Sequence, residues 1–495
     1  MRRAASRIAV SLLVAVGLWG ASASGTAGAP GQAPAASDPS ELPLLGYHPG
    51  PHDSVVVFAA HPDDESLGPG GFVREAVDAG ARVTIVTFTN GDGYLAGVDV
   101  AFRTVLSTPA LFVQYGARRQ QEALAAGATL GVTRSGEVFL GYPDRGLAAL
   151  WGSHWNCDHP YTSRYTQRDH SPYPLALRPG VAYCGANVLA DVETVLRREH
   201  PSVVIVHHAA DTHPDHWAAE AFVTAALESL ALDGDRWARS VRVFHYIVHR
   251  GAWPSPRAYA PDLPLRPPAD LEMGHVDWVS VPLTERSEDA QHEAILSYQT
   301  QITLLRSYML SFVRRAELFD LAGEVTATEV ADADLPMGAP DRWDRLPPAV
   351  IGSGPGSPLQ HAQGSATLQA VTVAQSRTHL FVGIRLRRPH VRDAEYRIEL
   401  RLFHPGGHWA RLVLSVRPPR QLAAVRTLDQ DLALPPGAVA ESTGPRIAVS
   451  LPLEALRDPV SAYVEVATVG PLRVLVERTP WTMVRLAGPA SGGGP

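Results

Sequence analysis

Two apolar runs constrain this chain most: "SVVVFAA" at 54–60 and "SVVIVHH" at 202–208 are buried-strand material, and each ends abruptly in histidines and acids. The first runs into His61-Pro62-Asp63-Asp64-Glu65, the second into "AADTHPDHW" at 209–217. Segments of helical period lie between such runs, at about 70–79, 115–130, 187–199 and 215–230, and further strand-like runs occur at "RVTIVTFTN", "EVFLG" and "VRVFHYIVHR". Short continuous apolar runs alternating with helices predict an α/β fold, a Rossmann-like mostly parallel sheet with helices on both faces. In such sheets ligands bind beyond the carboxyl ends of the strands, so both charged clusters are expected at one edge.

At 495 residues the chain exceeds the ~250 to 300 at which single cores stop growing, and two domains are expected. The α/β domain is placed at 51–320, with insertions at about 92–114 and 143–185 and a closing helical segment, "SEDAQHEAILSYQTQITLLRSYMLSFVRRAELF". Residues 321–365, rich in Pro, Gly and Ala, read as a linker. Beyond it the period changes to two: Tyr396, Ile398, Leu400 and Leu402 alternate with Arg397, Glu399 and Arg401, the pattern of a strand buried on one face. Similar runs at "ARLVLSV", "RIAVSLPL", "AYVEVATV" and "LRVLVER" predict an all-β sandwich over 366–487, followed by a tail at 488–495. Its aromatics, Tyr396, Trp409, Tyr463 and Trp481, make it a candidate for carbohydrate binding by analogy of fold alone.

At the N-terminus Arg2, Arg3 and Arg7 precede an apolar run from Ile8 to Trp19 and the small-residue stretch "ASASG". This is the pattern of a secretory signal over 1–23, and the run is shorter than the ~20 residues that cross a bilayer. Residues 24–50 follow as a linker. A secreted, extracytoplasmic protein is therefore expected, without membrane contact after cleavage. The two cysteines, Cys157 and Cys184, would lie in the exported portion, where a disulfide is favoured over a two-cysteine metal site.

Composition removes several function classes. A net charge of -7 without a basic tract speaks against nucleic acid as a partner. All 43 basic residues are arginines, which excludes a Schiff-base lysine, a pyridoxal-phosphate anchor and the P-loop lysine. The glycines of "LGPGG" lack the GxGxxG spacing, so no nucleotide cofactor is expected.

The charged clusters carry the chemistry. His61 and Asp64 stand three apart, as do His213 and His216 with Asp215 between them. Brought to one sheet edge, His61, Asp64 and His216 form a candidate ligand set, and two imidazoles with one carboxylate and an open position suit a catalytic Zn²⁺. Asp63, left off the metal, occupies the place of a general base. His213 is placed to donate to a developing oxyanion or leaving group, and Asp215 to orient an imidazole. Either cluster alone also fits a capped helix N-terminus; two of them, each after a buried strand, favour the metal. The same two-histidine, one-carboxylate set serves non-haem Fe(II) enzymes, a reading that leaves Asp63 without a task. A non-catalytic glycan-binding protein, the third reading, has no need of a base beside an open metal site.

In this order, "AHPDDE", "RQQEALAAGATLG" and "HPDHW" resemble the LmbE-like, PIG-L-type zinc de-N-acetylases over about residues 50–320. The resemblance implies a Rossmann-like fold, N-acetylglucosamine-containing substrates, zinc on His61, Asp64 and His216, Asp63 as base and His213 as electrostatic or acid catalyst. It also places Arg119, of the R-x-x-E helix motif, near the sugar, and makes Asp144 of "GYPDRG" a substrate contact. The chain departs from the family at "YQTQ" (298–301), where many relatives read H-x-S-Q, in the long 143–185 segment, and in the sandwich. These departures bear on the substrate more than on the chemistry.

Overall fold

In the computed structural model the described residues are 42–271, 276–321, 323–331, 340–351, 368–389, 394–418, 421–424, 432–470 and 475–487. The expected signal (1–23), most of the 24–50 and 321–365 linkers and the tail (488–495) lie outside them.

The strands of the α/β domain are β1 (Ser54–Ala59), β2 (Arg82–Thr89), β3 (Glu137–Tyr142), β4 (Val203–His207), β5 (Arg242–Tyr246), β6 (Trp278–Pro282) and β7 (Ala316–Asp320). Its helices are α1 (Asp64–Leu67), α2 (Gly70–Asp78), α3 (Leu95–Phe102), α4 (Pro109–Leu130), α5 (Leu147–Trp151), α6 (Gly185–Glu199), α7 (Pro214–Leu232), α8 (Glu285–Ser297) and α9 (Gln299–Met309). The sheet order is β3-β2-β1-β4-β5-β7-β6, with the first five strands parallel and β7 antiparallel to both of its neighbours.

Period two accounts for the two layers: Val56, Phe58, Val204 and Val206 join the core against α6 and α7, while Val55, Val57, Val203 and Ile205 join the core against α2 and α8. Because β1 and β4 are adjacent but their connections leave in opposite directions, the sheet has its topological switch between them. Both charged clusters leave from that point.

Two expectations are corrected. The described parts of the 321–365 linker belong to the sandwich sheets, where Val325–Thr326 pairs with Thr482–Arg485, and Thr328–Glu329 and Val350–Ile351 pair with Leu368–Gln375. The segment at 287–319 is not helical to its end: α8 and α9 meet at Tyr298, and Ala316–Phe319 is extended in β7. Pairing with β6 overrides the local helical period, and Glu317, buried in that strand, accepts the Gly71 and Phe72 N–H groups at the start of α2, at 2.6 and 2.9 Å.

The C-terminal strands form two sheets. One contains Leu368–Gln375, His379–Leu386, Arg446–Pro452 and Val439–Thr443; the other contains Trp409–Arg417, Glu395–Phe403, Ser461–Val469 and Thr482–Arg485. Their facing sides, with Val371, Leu380 and Ile384 from one and Tyr396, Ile398 and Leu400 from the other, share one core.

The far side of the second sheet is not left to solvent. Arg401, on the polar side of the period-two pattern, is fully buried; it donates to the Trp151 carbonyl at 3.0 Å and lies 5.0 Å from the Trp151 ring and 5.3 Å from that of Trp481. Tyr396, Tyr463 and Trp481 are buried, and half-buried Trp409 stacks on Trp151, so the sandwich aromatics serve packing.

The sandwich grips α7 along its length. The Arg478 guanidinium lies 3.5 Å from the Trp217 ring centroid, Tyr463 donates to Glu220 at 2.5 Å, Ser461 donates to Glu228 at 2.6 Å, and Gly406 N–H caps the Leu232 carbonyl at 3.1 Å. Cys157 and Cys184 are joined in a disulfide, which ties the second insertion to the start of α6. Among the described residues no helix is long and apolar enough to cross a membrane.

Candidate active site

The turn after β1 and the first turn of α7 bring the expected ligands together. His61 Nδ1 stands 3.1 Å from His216 Nε2 and 3.3 Å from Asp64 Oδ2, and His216 Nε2 stands 3.4 Å from Asp64 Oδ2. Donor atoms about 2.0–2.1 Å from a tetrahedral ion stand roughly 3.3 Å apart, so the three edges fit one metal ion. His207 and His213 also crowd this point in overlapping groups. Their hydrogen bonds separate them from the ligands. His207 Nε2 already accepts the Ala60 N–H at 3.0 Å, which occupies its lone pair. His213 Nδ1 accepts the Asp215 N–H at 3.2 Å, so in the neutral ring Nε2 carries the proton and is a donor. Burial first, then the neighbouring His61 and His216, push His213 down to about 2 and keep it neutral.

Both candidate ligand imidazoles are flanked by carboxylates. His61 Nε2 lies 3.3 Å from Asp215 Oδ2 and 3.2 Å from Asp144 Oδ1. Asp215 is fully buried and accepts the Arg145 and Leu147 N–H groups at 2.5 and 3.0 Å. His216 Nδ1 lies 3.1 Å from Asp211 Oδ2, which also accepts the Val248 and His249 N–H groups at 3.0 and 2.9 Å. Such partners fix the ring and raise its basicity. Asp211→Asn is therefore expected to weaken metal binding 10- to 100-fold, on the order seen for such partners. Competition against a chelator measures this, and an unchanged affinity would remove Asp211 from the role.

Asp63, next in the chain to Asp64, is half-buried. Its φ of 126° is outside the regions that side-chain-bearing residues ordinarily adopt, and such strain gathers at functional sites. Arg119 Nη2 reaches its Oδ2 at 3.1 Å and the Pro62 carbonyl at 2.5 Å, while Nη1 donates to the Gly91 carbonyl at 3.0 Å. Gly91 has to be bare there, since a Cβ would fall 1.6 Å from Arg119 Nη1. Burial pushes the Asp63 carboxyl up to about 7 against the opposing pull of Arg119. In Asp64 burial also opposes ionisation, but His216 and His207 hold it well below the usual range.

The structure places Arg119 and Asp144 in the site but beneath its surface. Arg119 is 4% exposed and holds Asp63, and Asp144 is 5% exposed, accepts the Gly93 N–H at 2.7 Å and also meets His61. Both expected sugar contacts thus have protein partners. Glu122 of the same helix motif accepts the Thr300 N–H and hydroxyl at 3.0 and 2.5 Å, and Tyr298 donates to Glu65, so "YQTQ" braces both the α4 and the α1 motifs. Three residues join the site without a strong signal in sequence: Asp211, His249, whose ring is 4.8 Å from that of His216, and Tyr308, whose hydroxyl lies 3.1 Å from His249 Nδ1. Asp211 lies within the second charged cluster, whereas His249 and Tyr308 lie outside both motifs.

Residues 56–227 match the PIG-L family, described as GlcNAc-PI de-N-acetylase. A Tsukamurella paurometabola protein named 1D-myo-inositol 2-acetamido-2-deoxy-alpha-D-glucopyranoside deacetylase is 31% identical over 210 residues, 40% of this chain and 63% of that protein. The protein of the same name from Actinosynnema mirum is 30% identical over 259 residues, 50% of this chain and 81% of that protein. This chain thus spans slightly less than two thirds of the first relative and more than two thirds of the second. The solved N,N'-diacetylchitobiose deacetylase from Pyrococcus horikoshii aligns over 54% of this chain and 82% of that chain, at 16% identity and a TM-score of 0.32. The match at 30% identity to 81% of the Actinosynnema protein means that the chain belongs to the PIG-L (LmbE-like) family.

Proposed function

We propose that this chain is a secreted, zinc-dependent hydrolase that removes the N-acetyl group from an N-acetylglucosamine-type amino sugar or glycoconjugate. The observation that carries this reading is the convergence of His61, Asp64 and His216 on one point, with half-buried Asp63 next to Asp64 in the same turn. Family membership supports it, as do relatives named as deacetylases of a 2-acetamido-2-deoxy-glucopyranoside.

Two imidazole nitrogens and one carboxylate oxygen favour zinc; when bound, such an ion lowers the pKa of water and polarises a carbonyl oxygen. The remaining work falls to the chain's own groups. Asp63, aimed by Arg119, takes a proton from water as the water oxygen bonds to the acetyl carbon. His213, through its Nε2–H, donates to the carbonyl oxygen as negative charge builds there. As the C–N bond breaks, the proton held on Asp63 passes to the amine nitrogen. Acetic acid and the free amine leave, the acid's proton passing to the amine or to solvent to give acetate, and the Asp63 carboxylate is restored. Fe(II) chemistry on the same ligands would give Asp63 no proton to move. Export is supported by the N-terminal arginine, apolar and small-residue pattern and by the Cys157–Cys184 disulfide.

Acetate release from N-acetylglucosamine monomers, oligomers, wall glycans and inositol-linked forms, with zinc-loaded mature protein, tests this reading. Zinc-dependent release from at least one class is expected. Iron as the bound metal in anaerobically purified protein, with oxygen consumption and no acetate, would sink it.

A further inference from the structure

One imidazole at the site has no task in the reaction above. His249, just past β5, packs its ring 4.8 Å from that of His216 and 5.3 Å from that of His213. It joins none of the donor groups that could hold an ion among the described residues, so it stands beside the candidate ligands without being one. Its backbone is fixed from the second motif: Asp211 accepts the His249 N–H at 2.9 Å, and the His249 carbonyl accepts the Thr212 N–H and hydroxyl at 2.9 and 2.8 Å.

Hydrogen bonding also fixes the tautomer. The Tyr308 hydroxyl has a single proton, and the Val248 carbonyl, which only accepts, takes it at 2.8 Å. The Tyr308 oxygen is then left to accept from His249 Nδ1, 3.1 Å away, so Nδ1 carries the ring proton and Nε2 a lone pair. A second proton would set a half-buried charge against the rings of His213 and His216, which keeps His249 neutral. Among the described residues Nε2 has no hydrogen-bond partner; unlike the buried Nδ1 atoms of His207 and His245, which also lack partners, it reaches solvent.

The direction of the bond sets what the ring can do. His213 presents an N–H and answers negative charge, whereas His249 presents a lone pair and needs a donor on the substrate. An N-acetylated sugar carries two kinds, its amide N–H and its hydroxyls. In a trans amide the N–H points away from the carbonyl oxygen, and His249 packs beside His213, which serves that oxygen, so a hydroxyl is the donor that fits.

We infer that His249 is a substrate-binding residue, whose Nε2 accepts a hydrogen bond from one hydroxyl of the amino sugar and holds the sugar while its acetamido group reacts. The inference rests on the proposed deacetylase reading, and it makes that free hydroxyl a requirement of the substrate.

Acetate release by the zinc-loaded full chain from methyl N-acetyl-β-glucosaminide and its 3-, 4- and 6-deoxy analogues tests this, in the parent, His249→Ala and His249→Gln forms. In the parent, one deoxy analogue is expected to lose about tenfold in kcat/KM, the effect of one hydrogen-bonding group left unpaired. In His249→Ala the fully hydroxylated glycoside should lose about the same factor, and that deoxy analogue nothing further. His249→Gln, whose amide oxygen stands in for Nε2, should restore the discrimination at the same position. Metal content is expected to be equal in all three forms. A deoxy penalty as large in His249→Ala as in the parent overturns the inference, and so does loss of metal in His249→Ala, which would tie the ring to the metal instead. Acetate release from any of these glycosides or from N-acetylglucosamine oligomers without that coupling ends the role of His249 and leaves the hydrolase standing; no release from any of them ends both.

Discussion

Asp63→Asn is expected to keep its metal and lose most of its turnover, by about 10²- to 10⁴-fold, the usual worth of a positioned general base. Asparagine matches the shape of aspartate and meets the same backbone strain at φ 126°, so the substitution adds none of its own. It removes the proton acceptor and weakens the contact with Arg119 Nη2, at 3.1 Å in the parent chain. Arg119 keeps its bonds to the Pro62 and Gly91 carbonyls, which limits the structural change. Elemental analysis and acetate release on the same preparation make the comparison. Full turnover at unchanged metal content would take the base role from Asp63, and a loss of metal would make it a ligand.

His216→Ala is expected to lose stoichiometric metal. Its Nε2 supplies two of the three edges of the ligand triangle, at 3.1 and 3.4 Å, and what remains is one imidazole and one carboxylate. His207→Ala is the matched comparison: its ring centroid lies only 3.9 Å from that of His216, but its Nε2 is committed to the Ala60 N–H. Loss of His207 should lower the melting temperature and leave about one metal per chain, because a buried N–H is orphaned and no ligand is removed. Stoichiometric metal in the His216 variant at parental affinity would show the ligand set to be wrong.

The sheet, its edge and the motifs were legible because they are local: β1 and β4 are continuous apolar runs, and each motif follows its strand without a break. What escaped depends on partners distant in the chain. β7 continued a helical period and declared itself only by pairing with β6. Arg119 carried a family expectation of sugar contact, but the chain folds it back on the turn holding Asp63, 56 residues away. Arg401 sits on the polar side of an alternating strand and is nevertheless buried, since period two reports that a strand has two faces and not whether a second domain covers the outer one.

The grip of the sandwich on α7 limits how this protein can change. The helix that begins with His213, Asp215 and His216 continues through Trp217, Glu220 and Glu228, which are fitted to Arg478, Tyr463, Ser461 and Arg485. Exchange of the sandwich for another β domain would strand those side chains against a foreign surface while leaving the motif residues intact. The two parts are therefore expected to be inherited together, and substitutions along this seam to occur in matched pairs rather than singly.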